Sequence, residues 1–416
     1  MNRYARLSLS ILPVAAALFA TARADELFVG SPTTLIQSGN PFSGSFATIG
    51  ACGGAAQSMT LDGSRLLIGD PLGRIYQKGP SDSFVSFAFS VPNDAQALAM
   101  HAGNLLVGGT DGTLLRVDAT SGAVLATMQV GAPVTALLVM GNDVFAGTSF
   151  GIVEKGNALT GGFQFWGTCG GPVNALAADS THLILGSSNG NISRVNLMTQ
   201  MLEGTFSAGN DAEALVLQAD DIVVGGSDGS LRRLERMTGA LKGSFSASVA
   251  VSSLALRIEA QPGQIYCYGG GCPCGNDDAT AGCAHSLGWG GRLLGSGSTS
   301  VAADDLAVFA FNMPPNRFSR FYMSQHATQV PLGDGLLCAG GGGAGYPALR
   351  FPVQNTGTSG SIAMPEHLVG YVTAHFPATT ILAGATWNMQ TWYRDPPGPC
   401  GHLFNTTNSY AVTFTP

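Results

Sequence analysis

Charged residues are scarce in this sequence of 416 residues, and positive charge is the scarcer of the two signs. Asp, Glu, Lys and Arg make up 11% of the chain, with 26 acidic against 19 basic residues. Glycine, by contrast, occurs 58 times, and 45% of the residues are hydrophobic. This hydrophobic share argues against disorder and favours packed β-structure with many turns. The acidic balance argues against nucleic acid or an anionic membrane as a partner.

Long hydrophobic runs are also rare, and the one present lies at the start of the chain, at residues 7–20. Arg3 and Arg6 precede it, and Ala22 and Ala24 follow in an A-x-A pattern that is typical of a cleaved secretory signal over 1–24. The run falls short of the roughly 20 residues that a bilayer span needs. Without residues 1–24, which include Arg3, Arg6 and Arg23, the chain keeps 16 basic against 26 acidic residues. We therefore expect an exported protein, secreted to the cell surface, the medium or the periplasm, with no membrane span.

Catalytic and cofactor motifs are missing. G-x-S-x-G occurs at 147–151, 186–190 and 225–229, but these copies join two predicted strands, whereas a nucleophile elbow joins a strand to a helix. The glycine run at 339–345 lacks the G-K-[ST] ending of a phosphate loop, and His367 and His375 do not fit H-E-x-x-H. We predict no catalytic residue, cofactor or metal from motifs, although a propeller enzyme that takes acids from separate blades escapes this search.

A 39-residue repeat fills the region from 25 to 258. Each unit holds four short apolar segments separated by turn residues, as at 134–140, 143–149, 151–157 and 162–168. One ladder of glycines marks the period: Gly30, Gly69, Gly108, Gly147, Gly186 and Gly225. Four strands repeating at about 40 residues predict an all-β fold, a six-bladed β-propeller. The segment at 251–257 should pair with that at 26–31 and close the ring, which an open β-solenoid, the alternative, would not require.

The phrase GGTDGTLLRVDATSGAV at 108–124 resembles the repeats of quinoprotein-like and WD40-like propellers. This resemblance covers 25–258 and implies the propeller fold. The sequence departs from both families, because it lacks the G-H and W-D pairs of WD40 blades and the regular tryptophan of quinoprotein blades. A quinone cofactor is therefore not expected.

A longer period of 117 residues, three repeats, indicates a duplicated three-blade unit. It aligns Asn93 and Asp94 with Asn210 and Asp211, and Cys52 with Cys169. Equivalent positions three blades apart face each other across the axis of a six-bladed ring. We consider the four Asx residues as candidate ligands for a cation or sugar hydroxyls at the channel mouth, against the alternative that they satisfy turn backbone. For Cys52 and Cys169 we predict a disulfide across the mouth, because an exported domain should not keep two lone thiols.

Residues 259–416 form a second predicted domain with six cysteines. Five strand-like runs separated by Gly and Pro clusters favour a β-sandwich, at 306–313, 317–325, 348–355, 385–395 and 409–416. Because proximity favours pairing within a cluster, we predict that Cys267, Cys272, Cys274 and Cys283 pair among themselves and that Cys338 pairs with Cys400. A tetrathiolate zinc site is the alternative, less favoured in an oxidising compartment. Calcium binding by Asn276, Asp277 and Asp278 is a second alternative, disfavoured because the D-x-D-x-D-G spacing is absent.

The pattern CYGGGCPCGN, GDGLLCAGG and WYRDPPGPCG resembles a C-terminal module that recurs on secreted bacterial proteins. The resemblance implies an accessory or surface-attachment role. We therefore predict an exported binding or scaffold protein whose propeller contacts a protein or a glycan. Two alternatives stay open: a propeller hydrolase or lyase acting on polysaccharide or a lactone with acids such as Asp94 and Asp211, and a quinoprotein-like oxidoreductase.

Overall fold

A computed structural model describes residues 25–41, 44–218, 221–258, 261–340 and 349–416, so the predicted signal at 1–24 lies outside the described residues. From 26 to 257 the described chain forms short antiparallel strands. In chain order, β1 to β24 are Glu26–Gly30, Leu35–Gly39, Phe46–Ala51, Ser58–Asp62, Arg65–Gly69, Arg74–Lys78, Ser86–Ser90, Ala97–His101, Asn104–Gly108, Thr113–Asp118, Val124–Gln129, Val134–Met140, Asp143–Thr148, Ile152–Asn157, Gly161–Thr168, Val173–Ala178, His182–Ser187, Asn191–Asn196, Leu202–Ser207, Ala214–Gln218, Asp221–Gly225, Ser230–Glu235, Leu241–Ser246 and Ser253–Arg257.

These strands form six four-stranded sheets in the described region. Five of them use consecutive strands: β4–β7, β8–β11, β12–β15, β16–β19 and β20–β23. The remaining sheet has the order β24-β1-β2-β3, with Leu27 opposite Leu256 and Val29 opposite Leu254. The predicted pairing of the last segment with the first is therefore confirmed. The first strands of neighbouring sheets contact one another in the sequence β4, β8, β12, β16, β20, β24 and back to β4, which is the arrangement of a propeller.

Apolar layers between neighbouring sheets hold the repeat region together. The second strand of each sheet is covered on both faces, and β9 (NLLVG) shows why: Leu105 and Val107 pack with Leu67 and Ile75 of the preceding sheet, whereas Leu106 faces Val144 of the next. A strand covered on both faces needs an unbroken apolar run. The turn after the second strand also requires glycine. In five of the six described sheets it holds a glycine with positive φ: Gly73, Gly112, Gly151, Gly190 and Gly229. Gly190 has φ +80°, and a Cβ there would lie 2.4 Å from the backbone oxygen of Asn210.

The C-terminal region has a different architecture, with strands β25 to β36 and one short helix. The strands are Gln264–Tyr266, Arg292–Ser296, Ala307–Phe311, Phe318–Ser324, Ala327–Leu332, Gly335–Ala339, Leu349–Arg350, Gln354–Asn355, Ile362–Ala363, Thr386–Arg394, Phe404–Thr406 and Ser409–Thr413, and helix α1 is Leu368–His375. A seven-stranded sheet runs β25-β36-β34-β28-β31, with β32 beside β28 and β35 beside β34. β26-β27-β33 form a second sheet and β29-β30 a hairpin. None of the described helical structure has both the length and the apolarity to cross a membrane.

One hydrophobic cluster joins the two larger sheets. Phe321 and Met389 of the seven-stranded sheet pack with Leu293 and Val308 of the three-stranded sheet, and all four are buried. The residues that β28 and β34 give to this cluster, such as Phe321 and Met323 or Trp387 and Met389, are two apart, as the period of two in a strand requires. Two sheets that share a core in this way are compatible with the predicted sandwich.

The predicted bond between Cys338 and Cys400 is wrong, and one of the two bonds predicted within the cluster, Cys272–Cys283, is present. The bonds are Cys267–Cys338, Cys272–Cys283 and Cys274–Cys400, so Cys338 and Cys400 each bond to the cluster. Nearness in sequence misleads here because tertiary contacts bring distant strands closer. β25 carries Cys267 to β30, where the Tyr266 hydroxyl donates to the Cys338 carbonyl at 3.0 Å. Three disulfides also remove the thiolates that the zinc alternative requires, and they fit a secreted or extracellular protein.

The loop at 272–283 uses its polar side chains to hold its own fold. Asp277 Oδ1 accepts from the Cys272 amide at 2.8 Å, and Asp278 Oδ1 accepts from the Thr280 amide at 2.9 Å. Asn276 Nδ2 donates to the carbonyls of Ala284 and Asp334. These bonds account for the three residues that the calcium alternative invokes.

A buried ionic group connects the two parts of the chain. Lys242 Nζ donates to Asp221 Oδ1 at 2.6 Å, and Arg233 Nε lies 3.4 Å from Asp221 Oδ2. We call these three residues the interface triad. Lys242 is 5% exposed, Asp221 is 2% exposed and Arg233 is fully buried. Arg233 also reaches across to the C-terminal region, donating from Nη2 to the Ser359 carbonyl at 3.2 Å and lying over the Phe311 ring.

Candidate functional site

A cavity of about 110 Å³ lies between the first strands of the six sheets. Each sheet contributes three consecutive residues to its lining, which begin within one residue of the start of the first strand. The first of these three residues recurs every 39 positions and is polar in all six sheets: Gln57, Gln96, Thr135, Asn174, Glu213 and Ser252. We call these six residues the polar ring.

The polar ring repeats its chemistry after three sheets. Positions 57 and 174 both carry amides, and positions 135 and 252 both carry hydroxyls. The remaining pair differs in charge, because Gln96 is matched by Glu213. Among the described residues that line the cavity, Glu213 is the one ionisable side chain.

The lining becomes apolar two residues further along each strand. Successive side chains of a strand point to opposite faces, so residues two apart share one side. In all six sheets this position holds a long aliphatic residue, Met59, Leu98, Leu137, Leu176, Leu215 and Leu254. The cavity thus has a polar end and an apolar end.

Several members of the polar ring already have partners. Asn174 Nδ2 donates to Glu213 Oε2 at 3.0 Å, which joins neighbouring sheets. Gln96 Nε2 donates to Asp94 Oδ2 at 3.0 Å. The hydroxyls of Thr135 and Ser252 donate to backbone carbonyls, those of Val173 and of Ala56. The ring therefore combines groups fixed by the fold with amide and carboxyl groups that can exchange partners with a ligand.

Glu213 forms a carboxyl pair with Asp211. Burial raises the pKa of Glu213 above its ordinary value, and the negative charge and side-chain hydrogen bond of Asp211 raise it further, while the Asn174 amide lowers it. A hydrogen bond between two carboxyl groups requires a proton on one of them. At the equivalent position three sheets earlier, Gln96 donates an amide N–H to Asp94, so this contact does not require a protonated carboxyl group.

The predicted Asx residues lie beside this ring and do not line the cavity in the described chain. Asp94 Oδ1 accepts from the Thr110 amide at 2.8 Å, and Asp211 Oδ1 accepts from the Ser227 amide at 3.0 Å. A Cβ on Gly226 would lie 2.8 Å from Asp211 Oδ1, so glycine lets the carboxylate reach this turn. One carboxylate oxygen of each aspartate therefore accepts from the backbone of a turn.

The two asparagines donate to side-chain hydroxyls instead of accepting from turn backbone. Asn93 Nδ2 donates to Thr113 Oγ1 at 3.1 Å, and Asn210 Nδ2 donates to Ser230 Oγ at 2.5 Å. In both residues the Oδ1 atom is buried without a hydrogen-bond partner among the described residues. The structure therefore keeps each Asn-Asp pair together beside the mouth but does not unite the two pairs in one site.

The predicted disulfide between Cys52 and Cys169 is wrong, since both cysteines are free. Each side chain packs in its own layer between sheets: Cys52 with Phe28 and Tyr76, and Cys169 beside Trp166. Burial raises the pKa of Cys52 to about 12 and also raises the pKa of Cys169. Packing into separate apolar layers keeps the thiols from meeting, and their raised pKa values make them poor nucleophiles.

Sequence reasoning missed the polar ring, and with it Glu213. The signal was present, since a residue within one position of the start of each first strand follows the same 39-residue spacing as the glycines. A search for chemically unusual residues passes over five neutral positions. Reading the repeat column by column would have shown one acid among them.

The described residues hold no group of three His, Cys, Asp or Glu side chains placed to bind a metal ion. Asp211 and Glu213 are two carboxyls, and their nearest ring partners are amides. The chemistry available at the polar ring in the described residues is therefore hydrogen bonding, together with the carboxyl group of Glu213, whose pKa burial and Asp211 raise.

The sheets and their contacts define a β-propeller. The chain is similar to the WD40 β-propeller domain of Doa1, with 17% identity, 70% of this chain and 92% of that chain covered, and a TM-score of 0.45. It is also similar to a chain of the nidogen/laminin complex, with 8% identity, 56% and 98% coverage, and a TM-score of 0.50. No protein-family model and no curated protein matches the sequence. At such identities the likeness concerns the fold alone.

Proposed function

We propose that this chain is an exported binding protein, with a six-bladed propeller over 25–258 that receives its ligand at the polar ring. The observation that carries this proposal is the ring itself, in which six sheets place hydrogen-bonding side chains around one small cavity. A site with donors and acceptors from every sheet suits binding, and five of the six side chains carry no charge. A ligand pocket with a few convergent polar groups is the common form of a recognition site.

The size of the cavity limits what enters. A volume of about 110 Å³ accepts one polar side chain or the end of a chain, and not a whole sugar oligomer. Glu213 gives the ring its one carboxyl, so charge complementarity favours a cationic group. A protein partner that inserts a Lys or Arg side chain therefore fits the mouth better than a neutral glycan does.

We propose that the C-terminal region, 259–416, is a sandwich-type module that attaches the propeller to a surface. Its disulfides support a place outside the cytoplasm. The interface triad and the Arg233 contacts with Ser359 and Phe311 support a fixed attachment between module and propeller.

The proposal is tested by selecting a phage-displayed random peptide library on the mature protein. We expect selected peptides to carry Lys or Arg, and their affinity to fall about tenfold in Glu213→Gln, since a charge-assisted hydrogen bond is lost. Gln96→Glu recreates the carboxyl pair in the other half of the ring and should strengthen binding. Glu154→Gln, the same change on β14 away from the cavity, should leave the affinity unchanged.

Equal affinity of the selected peptides for the wild type and Glu213→Gln would refute the mouth as the site. A glycan array probed with the same variants tests the other ligand class. Glycans that bind with a dependence on Glu213 would keep the site and replace the protein partner.

The carboxyl pair favours a hydrolase as the second candidate function. Burial and Asp211 raise the pKa of Glu213, and a carboxyl group with a raised pKa beside a second carboxyl group resembles the acid and base of such enzymes. We rank it second because both carboxyls belong to one sheet and the Ser227 amide occupies Asp211 Oδ1. Release of reducing ends from a polysaccharide panel by the wild type, abolished in Glu213→Gln, would favour it over binding.

A further inference from the structure

A second cavity, of about 420 Å³, lies in the C-terminal region, between the seven-stranded sheet and the β29–β30 hairpin. Its walls are mainly apolar, with Leu332 and Leu337 from the hairpin, Val353, and Trp392 from β34. The volume is within the roughly 300–1,000 Å³ of small-molecule sites, whereas the axial cavity is smaller. The lining shares no residue with the propeller, so this pocket is independent of the polar ring.

Two arginines supply the charge of this pocket. Arg320 of β28 lies directly opposite Trp392 of β34, and Arg350 of β31 lies opposite Tyr322. Because Phe321 and Met323 face the core, Arg320 and Tyr322 point to the other side of the sheet, toward the pocket. No acidic side chain is among the described residues that line it.

The polar atoms in the pocket leave a guanidinium available. The Tyr322 hydroxyl donates to Gln390 Oε1 at 2.5 Å, so its proton is already engaged. Arg320 Nε is buried and has no hydrogen-bond partner among the described residues. A buried donor without a partner carries an energetic cost that a ligand acceptor would remove.

We propose that this pocket binds an apolar small molecule that ends in a carboxylate, with Arg320 and Arg350 on the anionic group and the hairpin leucines and Trp392 on the apolar body. A guanidinium offers a planar fork of donors that matches a carboxylate in a bidentate geometry. The chain carries a net charge of −7, so a cationic apolar pocket differs from its general surface.

The test uses decanoate and decanol on the full-length mature protein, with displacement of anilinonaphthalene sulfonate fluorescence as the readout. Decanoate should displace the dye at a concentration about tenfold lower than decanol does, because the two share an alkyl chain and differ in charge. Arg320→Gln should weaken decanoate about tenfold and leave decanol unchanged. Arg317→Gln, an exposed arginine that precedes β28, is the matched control and should change neither.

Folding of each variant is checked by its circular dichroism melting curve. Should Arg320→Gln fail to fold, Arg350→Gln and the charge-retaining Arg320→Lys decide: the first should weaken decanoate, and the second should keep more affinity than Arg350→Gln. Equal displacement by decanoate and decanol would overturn the proposal. Absence of binding by both ligands, or decanoate affinity unchanged in Arg320→Gln, would also overturn it.

Discussion

The interface triad provides the sharpest test of how the two parts of the chain are held together. Asp221 is the carboxylate that Lys242 and Arg233 share, at 2.6 and 3.4 Å. Replacing Asp221 with Asn keeps the shape of the side chain and removes its charge. Both cations then stay buried without this counter-charge, one of them at the contact with the C-terminal region.

The expected loss follows from burial. Removing one partner of a buried ion pair costs about 3–5 kcal/mol, because the remaining charge has been taken out of water. Lys242 is 5% exposed and its flexible stem can turn toward solvent, whereas Arg233 is fully buried. The cost should therefore fall in this range and come mainly from Arg233. The repeat supplies a matched control, since Asp143 and Lys155 lie 78 residues before Asp221 and Arg233, at the equivalent positions of an earlier sheet.

That earlier pair is an ordinary surface salt bridge. Lys155 Nζ lies 2.8 Å from Asp143 Oδ2, but the two side chains are 39% and 50% exposed. Exposed pairs contribute about 0.2–1 kcal/mol, so Asp143→Asn should have a small effect. Urea unfolding followed by tryptophan emission measures both variants. If Asp221→Asn costs no more than Asp143→Asn, the triad is not buried as described and the reasoning is refuted.

Three further predictions concern titratable groups. Titration of the unfolded, unreduced protein should detect two free thiols, at Cys52 and Cys169, and fewer than two would contradict this. In the folded protein, Cys52 should react slowly with iodoacetamide at pH 8, because burial raises its pKa to about 12. Burial lowers the pKa of His285 from 6.5 to about 4, so as the pH falls the unfolded state binds the proton before the folded state does. The free energy of unfolding should therefore decrease by about 3 kcal/mol as the pH is lowered from 6.5 to 4, and His285→Gln should remove this dependence. The raised pKa of Glu213 contributes stability that is fully present below pH 4.5 and is lost as the pH rises through the pKa of the folded state. Glu213→Gln removes this loss, so the gain in unfolding free energy of the variant over the wild type should grow with pH. A gain that does not depend on pH would contradict the carboxyl pair.

The repeat region could be predicted in detail because one short pattern is tested six times. The segment at 134–140 coincides with β12, and the ring closure between 26–31 and 251–257 followed from the mismatch of strand types at the two ends. The cysteine pairs could not be predicted, because Cys274 and Cys400 meet only when the loop at 396–402 folds against the Asn276 turn. Helix α1 escaped prediction since its eight residues include Gly370 and begin without a side-chain cap.

The candidate site was only partly within reach of sequence. Asp211 was noticed for its symmetry with Asp94, yet the structure shows that its partner Glu213, two residues on, carries the departure from symmetry. A pairing between side chains on one face of a short connection depends on local backbone direction. The pattern of residue types alone does not supply that direction.

The repeat itself distinguishes positions whose size is fixed by packing from positions that vary in size and charge. The column that starts with Ser58 holds only Ser or Ala, and the column that starts with Met59 holds only Met or Leu, so both are restricted to one small or one large size. The polar ring varies among amides, hydroxyls and a carboxyl, which differ in size and charge and share only hydrogen-bonding ability. In a closely packed core, a change in side-chain volume lowers the stability of the fold. A column that tolerates such changes is therefore not set by volume, and its common property is a side chain that can hydrogen-bond beside the shared cavity, the property on which the proposed binding site depends.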